Sequence, residues 1–219
     1  MKLQWLGHSC FLITAEDGTR IVTDPYDVTS YSGTLKYKDL AGLETDIVTI
    51  SHMTHPDHNY FEALSGERRI VRKAGEKDFG KIQIFGVNSF HDEAKGSERG
   101  KNVIFMISLE DVRLCHLGDL GHVLTEGNVR GMGKVDVLMI PVGGTYTIDS
   151  SQADIIVDMV KPKIVIPMHY RNARCGFPID GVGPFLAGRD NVKHLGSEVN
   201  ITKDELPDET ETWVLEPAK

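Results

Sequence analysis

Cysteine is scarce in this chain: 219 residues carry three, Cys10, Cys115 and Cys175. They are odd in number, widely scattered and form no C-x-x-C pair, so no disulfide framework is written here. The expectation is a reduced, cytoplasmic protein. Long apolar runs are also missing. No stretch approaches the roughly 18 continuous apolar residues of a membrane helix, so no membrane association is expected. The first residues combine Lys2 with apolar side chains, but Gln4, Gly7, His8 and Ser9 interrupt the run. No small-residue cleavage site follows, which argues against a signal peptide. Positive charge is in deficit too: Lys and Arg total 24 against 32 Asp and Glu, a formal net charge of −8. A general nucleic-acid binder needs a positive surface, so that partner is disfavoured. Linkers, repeats and low-complexity tracts are absent as well.

What remains is a composition of 40% hydrophobic and 26% charged residues, enough to bury a core and unlike a disordered chain. Short runs rich in Val, Ile and Phe recur, bounded by Gly, Asp, Asn or Pro. Strands are expected at Cys10–Thr14, Arg20–Thr23, Ile47–Ile50, Lys81–Phe85, Val103–Ile107, Val112–Cys115, Val135–Ile140 and Lys163–Pro167, with a further short candidate at Thr212–Leu215 in the acidic tail. Helical patterns are fewer. Tyr60–Leu64 and Thr125–Arg130 are short candidates. Ser150–Val160 is the clearest, with Ala153, Ile156, Val157 and Val160 on one face, Ser150 or Ser151 as cap, and Pro162 beyond its end. The early half is rich in strands and the later half alternates helix and strand. The expected fold class is therefore α/β, one domain over residues 1–219 with two sheets covered by helices.

The chemistry concentrates in the nine histidines. Ser51-His52-Met53-Thr54-His55-Pro56-Asp57-His58 follows the apolar run Asp46–Ile50 directly. A strand ending in a turn crowded with His and Asp gathers imidazole nitrogens and carboxylate oxygens, the donors suited to Zn²⁺, Mn²⁺ or Fe²⁺. Three more apolar runs end in ligand-type residues: one at His91-Asp92, one at His116-Leu117-Gly118-Asp119, and one at His169. Sites in α/β folds form where strand ends converge. Four such endings are explained best by a single dinuclear site, because one ion would leave several of these groups without a purpose.

These residues resemble the metallo-β-lactamase superfamily, whose signature is H-x-H-x-D-H after a strand, then a separate His, an Asp in a Gly-Asp context and a final His. Asp57-His58, His91, Gly118-Asp119 and His169 match in order and context. Trp5-Leu6-Gly7-His8-Ser9-Cys10-Phe11 and Thr23-Asp24-Pro25 are similar to the family's small Zn-dependent hydrolase branch, which includes ascorbate-6-phosphate lactonases. So are Glu98–Asn102, Cys115–Leu124 and Pro141–Ile148, and the resemblance runs from about residue 5 to 170. It implies a four-layer αβ/βα sandwich with the site at one edge. There is one departure: two residues, not one, separate His52 from His55, and a bulge at Met53-Thr54 is the expected remedy.

The resemblance implies roles. His52, His55 and His91 would hold one ion; Asp57, His58 and His169 would hold the second; Asp119 would bridge them. Two zinc ions per chain are expected, with Mn²⁺ or Fe²⁺ suited to the same donors. Asp57 and Asp119 are the catalytic candidates, Asp57 acting on the proton of the attacking water. Asp24 would orient a metal histidine, His116 would support the site from its strand, and His8 would lie near the pocket to orient substrate or a ligand. Lys95, Arg99 and Lys101, close after His91, are candidates for a substrate phosphate or carboxylate. The leading expectation is a metal-dependent hydrolase of a small, anionic ester, lactone or phosphoester. The rivals are an RNA-processing nuclease of the same superfamily, a di-iron redox protein, and a non-catalytic metal- or ligand-binding module. A homo-oligomer is compatible with all of them.

Overall fold

A computed structural model describes residues 1–218. Strands β1 (Lys2–Gly7), β2 (Cys10–Thr14), β3 (Arg20–Thr23), β4 (Ile47–Thr49), β5 (Arg69–Val71) and β13 (Glu198–Asn200) make one mixed sheet, ordered β13-β1-β2-β3-β4-β5. The second contains β6 (Gly75–Asp78), β7 (Gln83–Phe90), β8 (Lys101–Leu109), β9 (Val112–His116), β10 (Val137–Pro141), β11 (Ile164–Met168), β12 (Val192–Leu195) and β14 (Glu211–Leu215), ordered β12-β14-β11-β10-β9-β8-β7-β6. Three helices accompany them: α1 (Glu126–Met132), α2 (Ser150–Val160) and α3 (Gly183–Leu186). No helix among the described residues is long and apolar enough to cross a membrane.

Pleating divides the side chains of the first sheet between two clusters. Leu3, Trp5, Phe11, Ile13 and Ile21 join Phe105, Ile107 and Leu114 in the core between the sheets. Their neighbours Leu6, Cys10, Leu12 and Val22 face the other way. In the second sheet, all five residues of β10 are buried between its parallel neighbours β9 and β11, as expected for a strand covered on both faces. Ala153, Ile156 and Val157 of α2 and Phe185 of α3 cover that sheet's outer face. Among the described residues, the corresponding layer over the first sheet has no α-helix. It is made from connecting segments through Tyr26, Leu35, Tyr37, Leu40 and Leu64.

Local differences from the sequence expectations have physical causes. Tyr60–Leu64 yields a single 3₁₀ turn, Phe61–Ala63, not a longer helix. The cap of α2 is Asp149: its side chain accepts from the Gln152 N–H while Gln152 reaches back, a capping box that leaves Ser150 and Ser151 inside the first turn. Strands β1, β5, β6, β12 and β13 lie outside the expected runs. All four residues of β6 are exposed, and its partner β7 sets its register, so no apolar pattern marks it.

Strand direction gathers the ligand-type residues. β1 and β3 both run antiparallel to β2, and β4 is parallel to β3. β7 and β9 both run antiparallel to β8, and β10 and β11 are parallel to β9. His8 follows β1, Asp24 follows β3, His52 to His58 follow β4, His91 follows β7, Asp119 follows β9 and His169 follows β11. These strand ends converge at one edge of the two sheets.

Candidate metal centre

Two clusters of side chains occupy that edge. In the outer one, His52, His55, His91 and Asp119 each offer a ligand atom within 4.8 Å of the others. His52 and His55 reach it together because the additional residue of their loop is taken up at Met53 and Thr54, whose side chains are exposed. Asn59 Nδ2 donates to the Met53 carbonyl and closes that loop. In the inner cluster, His8, Asp57, His58 and His169 also lie within 4.8 Å of one another. Three residues around it have left-handed backbones although none is glycine: His8 at φ 52°, Asp24 at φ 38° and His169 at φ 50°. Each costs of order 1–3 kcal/mol, strain that is found disproportionately at functional sites.

Asp119 stands between the clusters. Its Oδ2 is 3.5 Å from His91 Nε2; its Oδ1 is 2.9 Å from His58 Nε2 and 3.5 Å from His169 Nε2. Asn102, fully buried, sets this position: its Oδ1 accepts from the Asp119 N–H at 3.0 Å, and its Nδ2 donates to Leu117 O and Ser89 Oγ. Gly118 permits the turn. It sits at φ 59°, and a Cβ there would lie 2.3 Å from Ser51 Cβ.

Hydrogen bonds fix the imidazole tautomers. The Nδ1 atoms of His52, His91 and His58 lie 2.9 Å from Lys101 O, 2.7 Å from Asp119 O and 3.2 Å from Asp24 Oδ2. Each partner is an acceptor, so Nδ1 carries a proton and Nε2 is the nitrogen left for the cluster. Asp24 is itself held, accepting from the Ser51 N–H and hydroxyl. His116 behaves differently. Its Nε2 donates to Ser9 O at 2.8 Å and its Nδ1 accepts from the Gly118 N–H at 3.2 Å, so both nitrogens serve the backbone.

Burial opposes every charge here, and the neighbours decide the outcome. Asp119 is pushed up by burial, yet His58 and His91 hold it well below the usual carboxylate range. Asp57 is lowered similarly, with His58 and His8 outweighing burial. Burial is the main cause lowering His169, His91 and His55. For His58, burial is outweighed by Asp119 and Asp57, which raise it; for His8, it is outweighed by the hydrogen bond to Asp57. The ionised carboxylates and the neutral imidazoles of His55, His91 and His169 are the states in which such groups bind a transition metal. His58 Nε2 and Asp119 Oδ1 are buried 2.9 Å apart with no other hydrogen-bond partner, so a proton or a cation must lie between them. The donor set and these unsatisfied atoms fit a metal centre.

A cavity of about 290 Å³ opens over both clusters. His55, Asp57, His91, Asp119 and His169 contribute to its lining; Tyr31, Tyr146, Phe177 and Arg99 complete it. The Tyr31 hydroxyl donates to Asp57 Oδ1 at 3.2 Å. Tyr31 and Tyr146 meet the Phe177 ring edge-on, with centroids 5.3 and 6.2 Å away. Asp92 shapes the loop that carries Arg99, accepting from the N–H groups of Gly96, Glu98 and Arg99. Of the three basic residues marked in the sequence, Arg99 lines the cavity; Lys95 and Lys101 do not, and Lys101 enters the site through its carbonyl. The sequence gives no pattern that singles out Tyr31, Tyr146, Phe177, Ser51 or Asn102.

A model of the β-lactamase superfamily domain matches residues 2–169. The chain belongs to this superfamily. A UPF0173 protein of Pyrococcus abyssi is 31% identical over 191 residues, spanning 78% of this chain and 83% of the relative. A UPF0173 metal-dependent hydrolase of Archaeoglobus fulgidus is 26% identical over 230 residues, spanning 92% and 94%. A solved structure from Thermotoga maritima, assigned to the Zn-dependent hydrolases of the metallo-β-lactamase superfamily, is 36% identical with a TM-score of 0.81, covering 98% of this chain and 97% of that one. The two sheets are thus those of the superfamily's αβ/βα sandwich, with connecting segments in place of one helical layer.

Proposed function

We propose that the protein is a metal-dependent hydrolase in which His52, His55 and His91 hold one transition-metal ion, Asp57, His58 and His169 hold a second, and Asp119 is shared. The observation that carries this reading is the division of Asp119, one oxygen toward His91 and the other toward His58 and His169. A carboxylate suits a shared position because its two oxygens can reach two cations. The descriptions of the Archaeoglobus and Thermotoga proteins support it. Zinc is the proposed metal, and Mn²⁺ or Fe²⁺ suits the same donors.

The ions would supply Lewis acidity, polarising the scissile group and making water nucleophilic near neutrality. The chain's own groups do the rest. Arg99 offers a planar fork of donors to a carboxylate or phosphate. The Tyr146 and Phe177 rings wall the cavity and exclude bulk water. Asp57, kept ionised by His58 and His8, is placed to accept a proton, and the Tyr31 phenol orients it. The small cavity and the net charge of −8 favour a small ester, lactone or phosphoester over a polynucleotide. The test is elemental analysis of gently purified protein followed by an ester, lactone and phosphodiester panel with and without chelator. Close to two ions per chain and chelator-sensitive turnover are expected. A folded chain that takes up no metal after supplementation overturns the reading.

A further inference from the structure

The inner cluster contains one imidazole more than this assignment uses. The rings of His8, His58 and His169 have centroid separations of 5.1, 5.7 and 4.0 Å. Those of His52, His55 and His91 are 4.5, 5.7 and 4.8 Å. The two sets of three rings are nearly congruent, and each is accompanied by a carboxylate, Asp57 or Asp119. From this geometry we infer that His8 is a metal ligand, the third imidazole of the inner site, which would then hold a transition-metal ion with three imidazole nitrogens, Asp57 and the shared Asp119. The inference rests on the two-ion reading above.

The local backbone carries the same message. β1 breaks register with β2 between Trp5 and Gly7, and His8 follows in the left-handed region at φ 52°. Its carbonyl accepts from Trp5 Nε1 at 3.0 Å and from the His169 N–H at 3.2 Å. These bonds lock two left-handed residues together and bring their ring centroids to 4.0 Å, tilted 38° to each other. The His8 ring is fully buried, with Nε2 3.3 Å from Asp57 Oδ2. The His169 Nδ1 is buried without a hydrogen-bond partner, and the His8 ring has the Cys175 thiol as a neighbour beside Asp57. Packing two imidazoles ring against ring away from water costs free energy, and coordination of a common cation by one nitrogen of each offsets it.

The test uses the full-length chain stripped of metal and reloaded with Zn²⁺ or Co²⁺. His8→Gly removes the ring at a backbone angle that glycine adopts freely. His8→Asn is the second variant, since asparagine also tolerates the left-handed region. Equivalents bound, affinity by chelator competition and the visible Co²⁺ spectrum are read beside thermal melts. Wild type should take two equivalents. Either variant should keep one equivalent and lose affinity for the other by more than the roughly 100-fold that loss of an outer hydrogen-bond partner costs at most. Its cobalt spectrum should change, and added imidazole should restore the lost equivalent in His8→Gly. A folded variant that loses less than this and keeps the wild-type spectrum overturns the ligand role and leaves His8 as a support for Asp57. A wild-type chain that binds no metal overturns the two-ion reading itself, and the ligand role with it.

Discussion

The outer and inner clusters offer almost the same donors and differ in how those donors are held. Two outer imidazoles, His52 and His55, come from one loop, and His55 is only half-buried. Thr54 Oγ1 already lies 2.7 Å from His52 Nε2, the nitrogen that faces the cluster. The inner residues are almost entirely buried, with His8 and His169 arriving from two other strand ends to meet Asp57 and His58 of that loop, and Asp24 backs His58 from behind. The comparison separates two properties that a list of ligands merges. Donor identity sets which metals suit a site; burial and supporting hydrogen bonds set how tightly and how rigidly it binds them. On the proposed function, the inner site is the tight one and the outer site is looser and closer to the substrate.

The largest effect should come from removing what the clusters share. Asp119→Ala takes a carboxylate from both at once. Metal content should fall to one ion or fewer, and turnover by roughly 10³-fold or more, the scale of losing a main electrostatic stabiliser. His116→Ala is the control on the same segment. Both ring nitrogens serve the backbone, so metals should stay while the melting point falls, by roughly 1–3 kcal/mol of lost stability. The reverse ranking would mean that the clusters are not joined through Asp119. Next in size is His52→Ala. Metal titration into apo protein should show two unequal affinities in wild type, and this variant should lose the weaker while the stronger is nearly unchanged. If both survive, His52 is not a ligand and the outer site rests on His55 and His91.

The difference between the clusters also marks how far the sequence could be read. The strand ends bearing His58, His91, Asp119 and His169 are visible because each follows an apolar run that forms its strand from local preference. The loop from His52 to Asp57 is legible as a departure in spacing, and its solution follows from fixed ends and one surplus residue. Tyr31, Tyr146 and Phe177 are not legible, because they arrive on connecting segments whose paths are set by tertiary packing and not by a local apolar pattern. Nor is Asn102, a polar residue at a strand start whose importance comes from contacts with Leu117 and Asp119 across the sheet. Arg99 could be picked from three basic neighbours only once the Asp92 hydrogen bonds had shaped its loop. Strand β13 escapes for a related reason: β1, at the other end of the chain, supplies its pairing.

A smaller effect should sharpen the comparison from the inner side. Asp24 Oδ2 accepts from His58 Nδ1 and from the Ser51 hydroxyl, and the residue sits at φ 38°, which asparagine tolerates. Asp24→Asn keeps the shape and removes the charge. An amide nitrogen facing His58 cannot accept, so the ring loses the partner that fixes its tautomer. Inner-site affinity should fall roughly 10–100-fold, the usual cost of losing such a partner. The outer affinity should not move. Equal losses at both sites would show that the two clusters respond as one unit.

The smallest effect is expected at Thr54, and it should run in the opposite direction. The Thr54 hydroxyl is 2.7 Å from His52 Nε2, and His52 Nδ1 already uses its proton on Lys101 O. The hydroxyl must therefore donate to Nε2, the same lone pair that an outer metal ion needs. Binding there requires this hydrogen bond to break, a cost of about 1 kcal/mol for a neutral pair of this kind. Thr54 is exposed, so trimming it leaves no buried cavity. Thr54→Ala should tighten the weaker metal affinity about fivefold, the equivalent of that lost competition. The inner affinity should stay within error, and the melting point of the apo protein should change little. An unchanged weaker affinity would mean that the hydroxyl swings away at no cost. The weakness of the outer site would then lie in the exposure of His55 and not in the extra residue of its loop.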